Sequence, residues 1–544
     1  MALGVSVPAG AAERDAAALN ALVKARIAED AGHPAEALAA LQSLAALAPD
    51  LPGLRGRILE RAIEAGDLTA AHGAAARLWA GGDRRFDALL VLLVDAMRRS
   101  DWKAARAYLV ARSDTMGGDA VLRLVEPTFQ AWIGVGAREK EPEGPLLAAA
   151  RKGRNEPAMV MEAALVALAS GRKAEAIDLA GSVVLTDRTS QLVALRLAAT
   201  LDWAREGEAA AELRGRIALA AGGREDPLLL LPDQPVTSAR AGAAHWVGLL
   251  ADGLSRLPDR PPSAALLFAR AAHWLNDRDW TARGALVEVL GRSGRERAAL
   301  ALLDTRRGAL PPVLEMRRAE LVAEAGDPAA AVALAEAAVP QTAAPRGLLI
   351  RLADVARRAD DPVAAARVYA RLEASLSDGK EDEALRGGLL IARAQLRLQA
   401  DDWDGALPLL EQAVALRPDD PEILNFAGYS ALERRRQVEE ALTRIETAWR
   451  REPQNAAITD SLGWAYFLTG RVAEAVPLLE KAERGDSGNA VIVEHLGDAY
   501  WQAGRRFEAR NAWRAAAPLA DDAAMTARLA AKLASGLTSA TTAP

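Results

Sequence analysis

Two stretches near the carboxyl end of the chain repeat one pattern with a spacing of 34 residues. The first begins at Asp460 and reads DSLGWAYFLTGRVAEAVPLLEKA, and the second begins at Glu494 and reads EHLGDAYWQAGRRFEARNAWRAA. Leucine, glycine, alanine and tyrosine return in the same order in both, and alanines recur further along. A fixed period of this length indicates a stack of similar units, each burying its apolar face against its neighbours.

A glycine lies inside a predicted helix of each stretch, at Gly463 and Gly497. A mid-helix glycine costs about 1 kcal/mol relative to alanine, so its presence needs a packing reason. Small side chains let two helix axes approach to the short end of the ~8–10 Å range, and larger ones would overpack the contact by ~1–3 kcal/mol. We therefore expect Gly463 and Ala475 to lie where the two helices of a hairpin cross, with Tyr466 and Leu479 filling the space around them.

The alanine of the second helix can be followed through most of the chain, and its usual spacing is 33 to 35 residues. Its predicted positions are Ala37, Ala71, Ala105, Ala176, Ala210, Ala264, Ala298, Ala331, Ala365, Ala406, Ala441, Ala475 and Ala509. The gap after Ala105 leaves room for one degenerate repeat near 119–152, and a longer irregular stretch follows Ala210. The sequence thus predicts about 14 helical hairpins.

The pattern Leu462-Gly463-x-x-Tyr466, followed by small residues at fixed offsets, closely resembles the tetratricopeptide repeat (TPR). The resemblance implies an all-α fold: a right-handed superhelical solenoid of TPR-like helical hairpins with a C-terminal capping helix. Met525, Leu529 and Leu533 would form the apolar face of that capping helix. The resemblance also implies a non-enzymatic scaffold or adaptor that binds a partner protein or peptide in the concave groove of the superhelix.

The segment from His495 to Trp513 also resembles a group of bacterial envelope-associated TPR adaptors, one of which partners a carboxy-terminal processing protease. This resemblance implies an envelope protease or a cell-envelope assembly partner. The chain contains no cysteine, so the lipid-bearing cysteine of that group has no counterpart here.

Five segments are predicted along the chain: a signal-peptide remnant or frayed terminus at 1–12, an N-terminal solenoid of degenerate repeats at 13–221, a loop or joint at 222–240, a C-terminal TPR solenoid at 241–516, and a capping helix with a disordered tail at 517–544. Ala9-Gly10-Ala11 gives the first segment a small-x-small pattern that suits signal peptidase. This pattern favours a periplasmic location, with the cytoplasm as the alternative. The joint at 222–240 is either a hinge between two arms or an ordinary long loop.

The composition excludes several classes of function. The net charge is −6, with both signs interspersed, which gives no electrostatic basis for binding nucleic acid. The absence of cysteine excludes disulfides, thiolate metal sites and a cysteine nucleophile. No apolar run approaches the ~18 residues of a membrane span, so no integral membrane segment is predicted.

The sequence predicts no catalytic site, no cofactor and no metal site. Gly485-Asp486-Ser487-Gly488 matches the nucleophile segment of serine proteases, but it falls in a turn between repeats, without a positioned base. The histidines are not paired at helical spacing, and no phosphate-binding loop is present. We therefore predict that the protein is not an enzyme. A folding or assembly chaperone of the cell envelope, with several weakly held clients, is the alternative to an adaptor.

A partner-binding groove is predicted on the first helices of the last three hairpins, because that helix lines the concave face in TPR proteins. Counting from the repeat glycine assigns eight side chains to this face: Asn425, Tyr429, Asp460, Trp464, Phe467, Glu494, Asp498 and Trp501. Aromatic rings would supply contact area and polar groups would fix the register of a bound segment. The acids match a neutral or basic segment better than a free carboxylate. The alternative is that Trp464 and Phe467 pack against a neighbouring repeat or the capping helix.

Overall fold

A computed structural model of the protein describes residues 9–113, 120–153, 156–221, 230–257, 263–305, 309–342, 344–520 and 522–543. These residues form 29 α-helices and no β-strand. Consecutive helices are joined by short turns and pack on each other in pairs, as expected for antiparallel neighbours. The predicted all-α fold of helical hairpins, about 14 in number, is therefore confirmed. The chain divides into two compact units, Met1–Ala359 and Asp360–Pro544.

Unit 1 contains the first 19 of these helices. They are α1 (Ala9–Asp30), α2 (Pro34–Leu47), α3 (Leu54–Ala65), α4 (Leu68–Ala80), α5 (Phe86–Arg98), α6 (Trp102–Ser113), α7 (Ala120–Gly136), α8 (Gly144–Ala150), α9 (Glu156–Ala169), α10 (Lys173–Gly181), α11 (Arg188–Trp203), α12 (Gly207–Ala221), α13 (Ala239–Ser255), α14 (Ser263–Leu275), α15 (Trp280–Arg292), α16 (Glu296–Asp304), α17 (Pro312–Glu324), α18 (Pro328–Ala338) and α19 (Arg346–Arg358).

Unit 2 contains the remaining ten helices among the described residues. They are α20 (Pro362–Ala374), α21 (Glu383–Gln399), α22 (Trp403–Leu416), α23 (Pro421–Glu433), α24 (Val438–Arg451), α25 (Ala456–Leu468), α26 (Val472–Gly485), α27 (Ala490–Gln502), α28 (Arg506–Ala516) and α29 (Ala523–Ser535). The last of these, α29, packs on α28 and is the predicted capping helix.

The turns follow the local sequence chemistry that the repeats predict. Gly470, between α25 and α26, has φ of 80°, a left-handed conformation that glycine adopts without steric cost and that ends a helix. Asp420 caps α23, accepting hydrogen bonds from the backbone N–H groups of Glu422 and Ile423, and Pro421 occupies the first helical position. Local residue choice thus sets where each hairpin turns.

The repeat glycines lie at helix crossings, as predicted. A Cβ atom added to Gly463 would stand 2.7 Å from Cγ of Leu479 on the paired helix, and one added to Gly497 would overlap the ring of Trp513. Ala475 is fully buried and packs in the same apolar cluster as Leu479. The helix-propensity cost of glycine is therefore offset by the close approach of the two helices.

Two helical glycines of unit 2 provide a test of this explanation. A Cβ on Gly428 would lie 2.8 Å from the backbone oxygen of Ala441, which has little freedom to move, whereas one on Gly388 would meet nothing within 4 Å. We expect Gly428→Ala to destabilise the protein by ~1–3 kcal/mol and the control, Gly388→Ala, to stabilise it by up to ~1 kcal/mol. Urea unfolding of the full chain, followed by circular dichroism, measures both. Equal effects of the two variants would contradict the packing explanation.

The recurring alanines lie where the period places them, with two exceptions. Eleven of the 13 predicted positions are at most 1% exposed, but Ala264 is only half-buried and Ala298 is exposed. Their neighbours Ala265 and Ala299 are fully buried instead. The helix contact therefore uses the second alanine of each Ala-Ala pair, and the predicted register is wrong by one residue at these two repeats.

Helices from distant parts of the sequence pack together in unit 1. The guanidinium of Arg270 on α14 donates a hydrogen bond to the backbone oxygen of Glu64 (2.9 Å), and the indole of Trp274 donates to Gly66 (3.2 Å). Helix α13 packs on α7 as well. The helices on both sides of 222–240 thus belong to one unit, and the observed division at 359/360 differs from the predicted joint. Residues 222–229 lie outside the described residues.

The carboxyl-terminal tail differs from its predicted description, whereas the signal-remnant prediction for residues 1–12 stays a prediction. Residues 9–12, assigned to a signal remnant or frayed end, form the start of α1, and residues 1–8 lie outside the described residues. The tail was expected to be disordered, but Ala543 is buried and its backbone N–H donates a hydrogen bond to Asp498 Oδ2 (3.0 Å). This hydrogen bond holds the end of the tail against Asp498 of α27.

Candidate functional site

The eight predicted groove residues lie on α23, α25 and α27, the first helices of three consecutive hairpins, which pack in order. The structure shows that they are not equally accessible. Four of them are buried, with exposures of 6% or less: Asp460, Trp464, Glu494 and Asp498. The other four are half-buried: Asn425, Tyr429, Phe467 and Trp501. The prediction that all eight line an open groove is therefore wrong for the first four.

Trp464 is buried because it forms the middle of a ring stack. Its indole lies parallel to the ring of Phe467 on one side (centroids 4.6 Å apart) and to the imidazole of His495 on the other (3.9 Å). His495 Nδ1 is 3.0 Å from the carboxylate of Asp460. The alternative interpretation, packing against a neighbouring repeat, is the one that the structure shows for Trp464.

Tyr429 extends this polar and aromatic cluster onto α23. Burial raises the pKa of Tyr429, and the negative charges of Glu433 and Asp460 raise it further. The pKa of Glu433 is also raised, chiefly by burial. The phenol therefore stays protonated and presents a neutral O–H group on this face of unit 2.

Glu494 and Asp498 are buried because the capping helix covers them. The ammonium of Lys532 on α29 is fully buried, 2.6 Å from Glu494 Oε1 and 2.7 Å from Asp498 Oδ1, and Arg528 bonds the other oxygen of Glu494 (2.9 Å). Burial alone would raise the pKa of Glu494, but hydrogen bonds from Arg528 and Lys532 hold it below its usual value. The indole of Trp513 also donates to Asp498 (2.9 Å).

The acidic side chains that led to the prediction of a neutral or basic ligand are therefore already paired with basic residues of the protein's own helix α29. Arg528 and Lys532 are four residues apart and point from one side of α29 toward the two acids. A partner approaching the described part of unit 2 can contact Asn425, Tyr429 and Phe467 directly. The carboxylates of Glu494 and Asp498 are already neutralised by Arg528 and Lys532.

A second surface, which the sequence reasoning missed, lies in unit 1. A cavity of about 430 Å³ is bordered by α13, α15, α17 and α19, and its walls carry many charged side chains. Arg317 and Arg351 face it from positions 34 residues apart, and Arg351 bonds Glu320 (2.6 Å). The 34-residue spacing of the two arginines was the available signal, because it places them at the same position of successive repeats. We call this surface the arginine cavity.

A buried polar cluster lies between α7, α9, α11, α13 and α15 of unit 1. The indole of Trp132 donates to the fully buried Glu162 (2.7 Å), and Arg196 pairs with Asp279 (2.9 Å). Burial raises the pKa of Glu162 to about 8, although Trp132 and Arg196 lower it. Burial also lowers the pKa of His245 far below its usual value, and the charge of Arg196 adds to this effect. Glu162 and His245 are therefore neutral near pH 7.

The described residues offer no metal-binding group of three or more histidine, cysteine or acidic side chains. Gly485–Gly488, the segment that resembles a protease nucleophile loop, is exposed: Gly485 is the last residue of α26, and the other three lie in the turn before α27. His495 lies seven or more residues beyond it and contacts Asp460 rather than Ser487. Among the described helices, none combines the length and apolar character that a bilayer crossing requires.

This architecture defines an α-solenoid of stacked helical hairpins. Two models of the tetratricopeptide repeat family match the chain, one over residues 387–430 and one over 430–490. The chain therefore contains tetratricopeptide repeats over residues 387–490, in unit 2. None of the curated proteins searched matches it.

Several solved structures are similar to the chain at low sequence identity. Yeast Tom70 is 14% identical and matches over 96% of both chains, with a TM-score of 0.38. A tetratricopeptide repeat protein from Parabacteroides merdae is 14% identical over 45% of this chain and 91% of its own (TM-score 0.36). A thermophilic TPR protein of Thermus thermophilus is 22% identical over 35% of this chain and 99% of its own (TM-score 0.30). Similarity at this level identifies no shared partner.

Proposed function

We propose that the protein is a non-enzymatic adaptor that binds a partner protein or peptide through the first helices of its repeats. Tetratricopeptide repeats are in general protein-interaction scaffolds, and the chain carries them at 387–490. The observation that carries the proposal is the half-buried strip formed by Asn425, Tyr429 and Phe467 on two consecutive first helices.

The chemistry of this strip suits a peptide ligand. Asn425 is half-buried, so part of it is accessible to a ligand, although its side-chain oxygen is itself buried and accepts no hydrogen bond from the described residues. The ring of Phe467 is held in place by its stack on Trp464, which lowers the entropy lost when a partner packs on it. Aromatic side chains, phenylalanine included, are enriched at protein–protein interfaces, so Phe467 is the residue of the strip that we expect to anchor a ligand.

Replacing Phe467 with alanine tests the proposal. Because aromatic hot spots contribute ≥2 kcal/mol, we expect Phe467→Ala to weaken partner capture from native lysate by roughly tenfold or more. Phe507→Ala is the matched control, since Phe507 is an exposed ring (74%) on a second helix, α28. Circular dichroism establishes that both variants keep the fold. Equal capture by wild type and Phe467→Ala would contradict the assignment of this strip.

Chemical cross-linking of the captured complexes distinguishes the adaptor from a chaperone. A single partner in fixed stoichiometry supports the adaptor, whereas many substoichiometric clients would support a folding or assembly chaperone. An envelope protease as partner and a periplasmic location stay predictions. Recovery of the native protein from the periplasmic fraction, with sequencing of its mature amino terminus, tests the location.

A further inference from the structure

Three of the predicted groove residues lie together on α27, the first helix of the last hairpin. Glu494, Asp498 and Trp501 follow each other at spacings of four and three residues, so they share one face of the helix. We call these three residues the terminal face. Residues 522–543, which form α29 and the tail after it, cover this face. The chain itself therefore shows what kind of segment the face accepts.

The acids of the terminal face are bound by the only two charged residues of α29. The ammonium of Lys532 lies between the two carboxylates and is fully buried. The guanidinium of Arg528 donates to both oxygens of Glu494, at 3.2 and 2.9 Å. A spacing of four residues places the two cations on one side of the helix. Helix α29 thus binds the acids as a basic helical ligand would.

The remaining contacts of the segment are apolar or involve the backbone. Leu533 packs in the same cluster as Trp501, and Gly536 lies so close to Trp501 that a Cβ atom there would overlap the indole. The backbone N–H of Ala543 donates to Asp498 Oδ2 (3.0 Å). Every residue of the terminal face is therefore contacted by this segment.

Helix α29 reaches α27 through long side chains. Its backbone packs on α28 and on the short 3₁₀ turn Ala517–Leu519, and its outward side chains are small, such as Ala527 and Ala530. Within the described residues, no helix follows α29 to hold it from outside. Taking charge pairs out of water costs most of what their attraction returns. An incoming helix that re-forms the same pairs keeps that balance, so it can replace α29 at little cost in free energy.

We propose that the terminal face binds a basic amphipathic helix of a partner protein, and that α29 is the intramolecular competitor for this site. The inference rests on the proposed adaptor function and names the chemistry of one partner segment: lysine or arginine at positions four apart, beside an apolar stripe such as that of Met525 and Leu529. The strip of Asn425, Tyr429 and Phe467 lies on the two preceding first helices. A partner seated there reaches the terminal face by continuing onto the next helix.

Fluorescence anisotropy tests the proposal with full-length chains and a labelled, amidated peptide of residues 522–537. We expect the peptide to bind Lys532→Met at least about tenfold more tightly than wild type. In the wild-type chain the tethered α29 competes at an effective concentration on the order of 1 mM, and the peptide binds only the fraction of molecules in which the helix is released. Equal affinity for the two chains, or no binding to Lys532→Met, overturns the proposal.

A second variant releases α29 without altering any charge. Leu529 is 1% exposed, and Leu529→Ala leaves a cavity that weakens the packing of the helix. We expect this chain also to bind the peptide more tightly than wild type, by about tenfold. Circular dichroism establishes that both variants keep their helices. Tighter binding to Lys532→Met alone would mean that the peptide only supplies a missing cation, and it would overturn the exchange with α29.

A peptide of equal charge and wrong spacing is the matched control. Its lysine is moved by the paired changes Ala530→Lys and Lys532→Ala, which turn the ammonium to the outer side of the helix, where Ala530 is exposed. We expect this peptide to bind Lys532→Met at least about tenfold more weakly than the natural sequence does. Equal binding of the two peptides would indicate non-specific attraction and overturn the proposal.

Two further measurements separate this inference from other outcomes. Light scattering of the wild-type chain is expected to give the mass of a monomer; a dimer that the peptide dissociates would show that a second copy occupies the terminal face, and would overturn the partner assignment. If a partner is captured through Phe467 but the peptide never exchanges with α29, the inference fails while the proposed function stands. If the peptide exchanges as expected but no partner is captured, the proposed function alone fails.

Discussion

Replacing Lys532 with methionine is expected to detach the capping helix α29 from the last repeat of unit 2. The ammonium of Lys532 is fully buried and lies within 2.7 Å of both Glu494 and Asp498. Methionine has a similar length but no charge, so the variant leaves two buried acids without their shared cation. Removing one partner of a buried ion pair typically costs about 3–5 kcal/mol.

Hydrogen exchange of the α29 amides in the full chain is the direct measurement. A loss of 3–5 kcal/mol corresponds to a fall in amide protection on the order of 100-fold or more, if those amides exchange through detachment of the helix. Exchange in α20–α22, at the other end of unit 2, is expected to change little, because each repeat contacts mainly its neighbours.

Arg528→Met serves as the comparison for this prediction. Arg528 contacts the same Glu494 (2.9 Å), but its side chain is 24% exposed, so water compensates part of the loss. We expect its effect on α29 protection to be clearly smaller than that of Lys532→Met. Unchanged protection in Lys532→Met would show that the apolar contacts of Met525 and Leu529 hold the helix without the buried ion pairs. Equal losses in the two variants would show that the complete burial of Lys532 does not enlarge its contribution.

The repeat period predicts the fold well because it reports local packing between neighbouring helices. Gly463 and Ala475 lie at a helix crossing as expected, since only small side chains fit there. The predicted position of the second-helix alanine is wrong by one residue where the sequence has two alanines in a row. At Ala264-Ala265 and Ala298-Ala299 either residue would satisfy the period, and the buried one is decided by contacts between helices.

The accessibility of the predicted site could not be read from the same pattern. Trp464 and Asp498 occupy first-helix positions, but their burial depends on other helices: His495 stacks on Trp464, and Lys532 covers Asp498. The sequence did contain a partial signal, because Arg528 and Lys532 follow each other at helical spacing in a segment already predicted to cap the solenoid. A basic capping helix and an acidic first-helix face are complementary.

The repeat pattern does not indicate the contacts that join distant helices inside unit 1. Helix α14 meets α3 through Arg270 and Glu64, which are 206 residues apart. A repeat pattern describes only nearest neighbours, so it cannot predict where a solenoid packs on an earlier part of itself. The arginine cavity was missed for a related reason: its charges come from helices whose repeats have lost the glycine and tyrosine of the family pattern.

Glu162→Gln is expected to stabilise unit 1 increasingly as the pH rises from about 5 to 8. Burial raises the pKa of Glu162 from its ordinary value of 4.5 to about 8 in the folded protein. The folded state therefore holds this proton more tightly than the unfolded state does. The stability that the protonated Glu162 contributes is fully present below pH 4.5 and is lost as the pH rises through 8. Glutamine cannot titrate, and its amide oxygen still accepts the hydrogen bond from Trp132.

The size of this effect follows from linkage. Between the two pKa values, the free-energy difference between variant and wild type should grow by about 1.4 kcal/mol per pH unit. Wild type and variant must be compared at each pH, because other buried groups titrate as well. The pKa of His273 is lowered to about 4, mainly by burial, and both proteins therefore lose stability together in acid.

Calorimetric unfolding of the two full-length proteins at several pH values measures the difference. We expect nearly equal unfolding temperatures near pH 5 and a clearly higher one for Glu162→Gln at pH 8. Glu212→Gln on α12 is the control, because Glu212 is exposed and its replacement should leave the pH dependence of unfolding unchanged. If Glu162→Gln instead destabilised the protein equally at every pH, the carboxyl group would be ionised in the folded state and Arg196 would pair with it despite its burial. That result would mean that Glu162 is charged, rather than neutral, in the core of unit 1.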